Sequence, residues 1–227
     1  MATLLITGAN RGLGLEFTRQ YADDGHRVIA CCRNPDAASE LRQLAGQVEV
    51  VALELCNTRQ ISAVASALQG VAIDVLINNA ATFGGSRFRL PELDGARMLT
   101  ALETNVVGPL MLTRSLLENL ALSAAGKVMF LSSRAGLARE ARQSGSIIYR
   151  ASKAALNAAV RSASFDLAAR GIACAALNPG FVRTGIGGPK APMTTFQSVT
   201  ALRSVINGIT LANTGCFWHF DGTQIEF

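Results

Sequence analysis

Short apolar, β-branched runs alternate along this chain with longer segments in which apolar residues recur every three or four positions, and few folds accept that alternation. The runs at 4–7, 27–31, 48–53, 73–77, 127–131, 172–177 and 215–218 read as strands. Between them, 12–24, 35–45, 58–69, 93–122, 147–170 and a weaker stretch at 196–210 read as helices. Strands that are apolar almost throughout must be covered on both faces. The pattern therefore predicts an α/β fold, a doubly wound parallel sheet with helices on either side. A length of 227 residues suits one such domain, so 1–227 is expected to form a single unit.

Composition excludes several classes. An apolar fraction of 49% is too high for a disordered chain. No stretch approaches the roughly 18 uncharged apolar residues of a membrane span, and MATLLITGAN has neither the basic start nor the cleavage site of a secretory signal. Cys31, Cys32, Cys56, Cys174 and Cys216 form no C-x-x-C pair, and most sit in apolar, strand-like segments, as buried thiols in a reducing compartment would. His26 and His219 lie far apart without ligand spacing, which argues against a metal site. The net charge of +5 is scattered and carried mostly by arginine. It hints at an anionic partner but lacks the dense basic stripe with stacking aromatics that nucleic acid needs. The expectation is a cytoplasmic protein without membrane, nucleic-acid or metal partners.

Directly after the first strand comes Thr7-Gly8-Ala9-Asn10-Arg11-Gly12-Leu13-Gly14, with the helix starting inside it. Glycines let the backbone turn tightly and approach a pyrophosphate, while the helix start turns its free N–H groups to the negative charge. A dinucleotide site follows from that context. The second strand ends Ala30-Cys31-Cys32-Arg33, with no acid to accept from ribose hydroxyls and repel a 2′-phosphate. Arg33 and Arg11 are suited to holding that phosphate by charge-assisted hydrogen bonds, so NADP is preferred over NAD. Two solvated arginines are the plainer alternative. The segment 180–192, rich in Gly and Pro, follows a strand; it reads equally well as a loop over a ligand or as a surface excursion.

The second constellation is Tyr149-Arg150-Ala151-Ser152-Lys153. In a chain with two Tyr and three Lys, a Y-x-x-x-K arises by chance with a probability of about 3 in 100. On a helix, positions i and i+4 share a face, which sets the ammonium beside the phenol and favours the phenolate. Bringing a phenol from about 10 towards 7 takes roughly 4 kcal/mol, more than one solvated Lys supplies, so a cationic nicotinamide would have to help.

Together these motifs resemble the short-chain dehydrogenase/reductase family over essentially the whole chain. TGANRGLG resembles its cofactor turn; Asn78-Asn79-Ala80-Ala81 resembles its N-N-A-G; Asn105 in ETNVVGPL resembles its helix asparagine. Leu131-Ser132-Ser133 resembles its serine strand end, YRASK its Tyr and Lys, and Asn178-Pro179-Gly180-Phe181-Val182-Arg183-Thr184 its N/H-P-G-x-V-x-T segment. Finer features resemble the sniffer and C-factor group of carbonyl-reductase-like members: the opening TGANRGLGLEF, CRNP after the second strand, the GG after Thr184 and the ending FDGTQIEF.

The resemblance implies a Rossmann-like sheet of seven strands in the order 3-2-1-4-5-6-7, and an oxidoreductase moving a hydride between NADPH and a small carbonyl or alcohol. It makes Tyr149 the general acid or base, Ser133 a hydrogen-bond partner of the substrate oxygen, and Lys153 the binder of the nicotinamide ribose and tuner of Tyr149. Asn105 would support a proton relay through water. An alkoxide must be stabilised and protonated as it forms, which is what such groups do. If the pleat ran one residue differently, Ser132 would face the site instead of Ser133. The cofactor set implied is Gly8, Asn10, Arg11, Gly12, Leu13, Gly14, Arg33, Glu54, Leu55, Asn79, Ala80, Ala81, Tyr149, Lys153, Pro179, Gly180, Val182 and Thr184. Two segments depart from the family pattern. Ala81 adds a methyl where glycine is usual, and Glu54-Leu55 stands where many members carry Asp-Val. Arg87, Arg89, Arg134, Arg139, Arg142, Arg183 and Lys190 face one acid, Glu140, in the loops expected to frame the pocket, which suggests an anionic carbonyl substrate. The Ala-rich helices at 93–122 and 147–170 suit a homodimer or homotetramer. The rival reading is a dinucleotide-responsive regulatory or signalling protein without turnover.

Overall fold

The computed structural model describes residues 1–85, 89–142 and 144–227. In chain order the elements are β1 (Thr3–Thr7), α1 (Gly12–Asp23), β2 (Arg27–Cys32), α2 (Ser39–Arg42), β3 (Val48–Ala52), α3 (Thr58–Ala67), β4 (Val75–Asn78) and α4 (Gly95–Leu102). A π-helical turn (Glu103–Val107) leads into α5 (Gly108–Ser115), followed by α6 (Leu117–Ala121), β5 (Lys127–Leu131), α7 (Ile147–Ala168), β6 (Ala173–Asn178), α8 (Thr195–Gly208), β7 (Cys216–His219) and β8 (Gln224–Ile225). The strands form one sheet in the order β3-β2-β1-β4-β5-β6-β7-β8. All neighbours run parallel except β7 and β8.

Successive strand residues point to opposite faces, and this alone sorts the core into two layers. Leu5, Ile29, Val128, Phe130 and Cys174 face α3, α5, α6 and α7, where Ile61, Leu112, Leu120, Leu156 and Val160 cover them. Leu4, Ile6, Val28, Met129 and Ala175 face α1 and α8, under Phe17, Tyr21, Val199, Leu202 and Ile206. Chain order reverses between β1 and β4, so the loops after those strands diverge and open a crevice at the carboxyl edge of the sheet.

Three expectations change. The sheet has an eighth strand, two residues long, too short to leave a periodic signal. The helix expected at 35–45 contracts to Ser39–Arg42. The helix expected at 93–122 is broken into α4, the π turn, α5 and α6. Pro109, near the start of α5, has no N–H to give the carbonyl of Asn105 four residues back, and the ladder shifts register there. No helix of the described residues is long and apolar enough to cross a membrane.

Candidate active site

Thr7, the last residue of β1, stitches the crevice together. Its Oγ1 accepts from the backbone N–H groups of Asn79 and Ala80, each at 3.0 Å, and its carbonyl accepts from Asn79 Nδ2 at 2.8 Å. Gly8 and Gly12 both adopt positive φ, +64° and +57°. A Cβ on Gly14 would lie 2.3 Å from the Gly8 carbonyl oxygen and 2.6 Å from Asn79 Nδ2, so only glycine lets α1 start this close to both loops. Asn10 and Arg11 are exposed on the outside of the turn, while Leu13 is half-buried.

The start of α1 is left uncapped. Asn57, Asp94 and Thr194 cap α3, α4 and α8 with side-chain oxygens. Arg11, at the corresponding place of α1, makes no such bond, and its first turn holds no acidic residue. Unsatisfied N–H groups and the positive end of the helix dipole thus meet at the glycine turn, which fits a diphosphate.

Beyond it, Arg33 at the end of β2 is 74% exposed and lies 3.7 Å from Glu54, which follows β3. A solvated cation beside the crevice suits a 2′-phosphate, and Glu54 competes for it. The Leu55 side chain is buried in the core, where Gly108 accommodates it: a Cβ there would come within 2.6 Å of Leu55 Cβ. Only the Leu55 backbone is therefore available to a ligand.

The loop after β6 closes the opposite side. Pro179 accepts from Ser198 Oγ at 2.7 Å; Gly180, at φ +82°, lies so near Phe220 and Met193 that a Cβ would come within 2.8 Å of the Phe220 ring. Val182 is buried and pairs with Met193, whose carbonyl accepts from Arg183 N at 2.9 Å. The segment is thereby tied at both ends. It reaches over the glycine turn, since a Cβ on Gly12 would lie 3.5 Å from Thr184 Cγ2.

At the end of β5 the pleat separates the two serines. Ser132 is buried and donates to Asn157 Oδ1 on α7 at 2.5 Å, away from the crevice. Ser133 points the other way, to the phenol of Tyr149. Burial pushes the Tyr149 phenol up, and the hydrogen bond from Ser133 pulls it part of the way back. Lys153, one turn along α7, is buried with its Nζ 5.8 Å from the Tyr149 ring centroid. The ammonium donates to the Leu131 carbonyl at 2.7 Å, yet burial pulls its pKa down to about 8.

Asn105 sits in the π turn with its side chain fully engaged. Oδ1 accepts from Thr82 N–H at 2.8 Å; Nδ2 donates to the Thr82 carbonyl at 2.8 Å and to Ser152 Oγ at 2.9 Å. Ser152 in turn donates to the Tyr149 carbonyl at 2.8 Å. Any part Asn105 plays in a water relay thus falls to its main chain, not to its carboxamide. Sequence reasoning missed Thr82 and Ser152, whose neighbours Ala81 and Lys153 carry the recognisable patterns.

Three of the rim cations are engaged within the chain. Arg134 pairs with Glu140 at 2.5 Å, Arg139 donates to the carbonyls of Glu226 and Phe227, and Arg183 donates to the Pro192 carbonyl at 3.3 Å. Arg134 first, then Arg142 and Arg139, hold the Glu140 carboxyl below its usual range. Arg89, Arg142 and Lys190 are exposed, and Arg87 lies outside the described residues. The same side carries the exposed apolar side chains Phe181, Ile186 and Phe196. No group of three or more His, Cys, Asp or Glu among the described residues is placed to hold a metal.

The short chain dehydrogenase family profile matches residues 2–194. Among curated proteins the chain is similar to "C-signal" of Myxococcus xanthus, 39% identical over 155 residues that span 68% of this chain and 93% of that one. Among solved structures it is similar to an NADPH-bound carbonyl reductase from chicken fatty liver, 29% identical, TM-score 0.92, covering 100% of this chain and 99% of that one. The carbonyl reductase Sniffer of D. melanogaster is likewise 29% identical, with a TM-score of 0.93 and full coverage of both chains.

Proposed function

The chain belongs to the short-chain dehydrogenase/reductase family and so is an NAD(P)-dependent oxidoreductase; from that premise we propose that it is an NADPH-dependent reductase of small carbonyl compounds with Tyr149 as its acid. The observation that carries this reading is the convergence of Ser133, Tyr149 and Lys153 at the crevice beside an uncapped glycine turn. When bound, the reduced nicotinamide supplies a hydride to the carbonyl carbon. The uncapped start of α1 and the N–H groups of the Gly8–Gly14 turn hold the diphosphate. Arg33, with Arg11, takes the 2′-phosphate, at the expense of the Arg33–Glu54 pair. Asn79, Ala80 and Ala81 line one side; Pro179, Gly180, Val182 and Thr184 line the other.

Ser133 Oγ hydrogen-bonds the substrate oxygen, and Tyr149 transfers its phenolic proton to that oxygen as negative charge develops. A phenol held above its usual pKa in the free protein stays protonated at neutral pH, as a proton donor must. Lys153 has three donors and spends one on Leu131, leaving two for ribose hydroxyls. Pro109 has no N–H to give the Asn105 main-chain carbonyl, and that oxygen is the acceptor we assign to a relaying water.

The paired rim arginines weaken the case for an anionic substrate, and Phe181 and Ile186 favour an apolar one. The test is NADPH consumption against a panel of neutral and carboxylated aldehydes, ketones and quinones, with Tyr149→Phe as control. Turnover that Tyr149→Phe lowers by about a hundredfold or more supports the proposal. The similarity to "C-signal" favours a second reading, a dinucleotide-responsive signal. Saturable NADPH binding with no turnover of any compound would select it.

A further inference from the structure

Phe83, on the loop after β4, belongs to none of the motifs above. Its ring stacks on that of Tyr149, with centroids 5.0 Å apart and planes at 30°. Both of its chain neighbours are anchored. Thr82, the preceding residue, has both its N–H and its carbonyl held by the Asn105 carboxamide, and Thr82 Oγ1 accepts from the Gly84 N–H at 3.2 Å. Gly84 adopts φ +80°, and a Cβ there would lie 2.4 Å from Ile148 Cγ2, so the backbone is drawn down onto the first turn of α7. Asn105 also donates to Ser152, which donates to the Tyr149 carbonyl. One hydrogen-bonded circuit therefore fixes both members of the ring pair.

We propose that Phe83 is a positioning residue for the acid, its ring fixing the orientation of the Tyr149 side chain and shutting water away from one face of the phenol. The inference rests on the role given to Tyr149 under the proposed function, but its first test does not require turnover. The chain has two tyrosines, Tyr149 and Tyr21, and burial pushes Tyr21 up to about 12. Burial raises the Tyr149 phenol as well, so its tyrosinate absorbance is taken as the difference between each protein and the same protein carrying Tyr149→Phe. Removing the apolar cover rehydrates the phenolate, so Phe83→Ala is expected to lower the ionisation midpoint of Tyr149 by about one pH unit, and Phe83→Leu to restore most of the loss. Gly84→Ala, which lifts the loop from Ile148, should act like Phe83→Ala.

The titration is run on the free protein over the pH range in which circular dichroism is native, with Tyr149→Phe to assign the signal. With NADPH and an aldehyde that the wild type reduces, Phe83→Ala should lower kcat about tenfold, leave the KM for NADPH unchanged, and move the alkaline limb of the pH profile down with the titration. A Phe83→Ala variant whose tyrosinate titration matches the wild type overturns the inference, as does one in which Phe83→Leu is as shifted as Phe83→Ala. A shifted titration in a protein that reduces no carbonyl would uphold the contact and overturn the proposed function instead.

Discussion

Two adjacent serines with one side-chain chemistry do different work because the pleat turns them apart. Ser133→Ala removes a donor aimed at the developing alkoxide and is expected to cut kcat by about 10²–10³, measured as NADPH oxidation. Ser132→Ala leaves the Asn157 carboxamide without its buried partner. It should keep kcat within a few-fold of wild type while lowering unfolding stability by about 1–3 kcal/mol in urea melts. Lys153 permits a prediction with a definite sign. Its pKa falls from 10.5 in the unfolded chain to about 8 in the free folded protein. Burying the ammonium costs stability in full below pH 8, and the cost lifts as pH rises towards 10.5. Relative to Lys153→Met, wild type should gain about 3 kcal/mol across that window, read from denaturant melts at fixed pH. At this scale the patterns Y-x-x-x-K and L-S-S led to Tyr149, Lys153 and Ser133. They could not indicate that Phe83 covers the phenol or that Glu54 pairs with Arg33, because those contacts join residues distant in sequence.

Elements with a long apolar period, such as α1, α7 and the parallel strands, were legible in the sequence to within a residue or two. The misreadings fall where tertiary contacts overrule the period. The stretch 93–122 keeps a helical pattern throughout, yet one missing N–H at Pro109 and the demand of Thr82 for both ends of the Asn105 carboxamide turn its middle into a π turn. Helix α1 is the reverse case, since its glycines disfavour a helix start while the structure requires them. Gly14→Ala places a methyl against the Gly8 carbonyl and is expected to weaken NADPH binding tenfold or more by fluorescence titration, with a lowered melting temperature. Gly95→Ala, at the start of α4 with nothing within 4 Å of the added methyl, should be neutral or stabilising by about 0.5–1 kcal/mol.

For the molecule as a whole, the crevice leaves the start of α1 without a side-chain cap, so under the proposed function a bound dinucleotide completes interactions there that the chain does not make for itself. NADPH at about 100 times its Kd should stabilise the protein by about 2.7 kcal/mol and raise Tm by roughly 5–10 °C in a calorimetric scan. NADH at the same concentration should do less, in proportion to its weaker binding. The fold class was readable from alternation, and the order of the first seven strands followed from the family resemblance. The eighth strand was not readable, and it bears on how copies of this chain meet. A parallel sheet can continue from one molecule into the next wherever an outer strand offers a long row of unpaired amides and carbonyls. Here the last parallel strand, β7, is overlaid by a reversed segment of two residues, a ladder too brief to recruit a neighbour. Assembly by strand addition is thus blocked on that flank, and any partner approaching from it must be met by side chains.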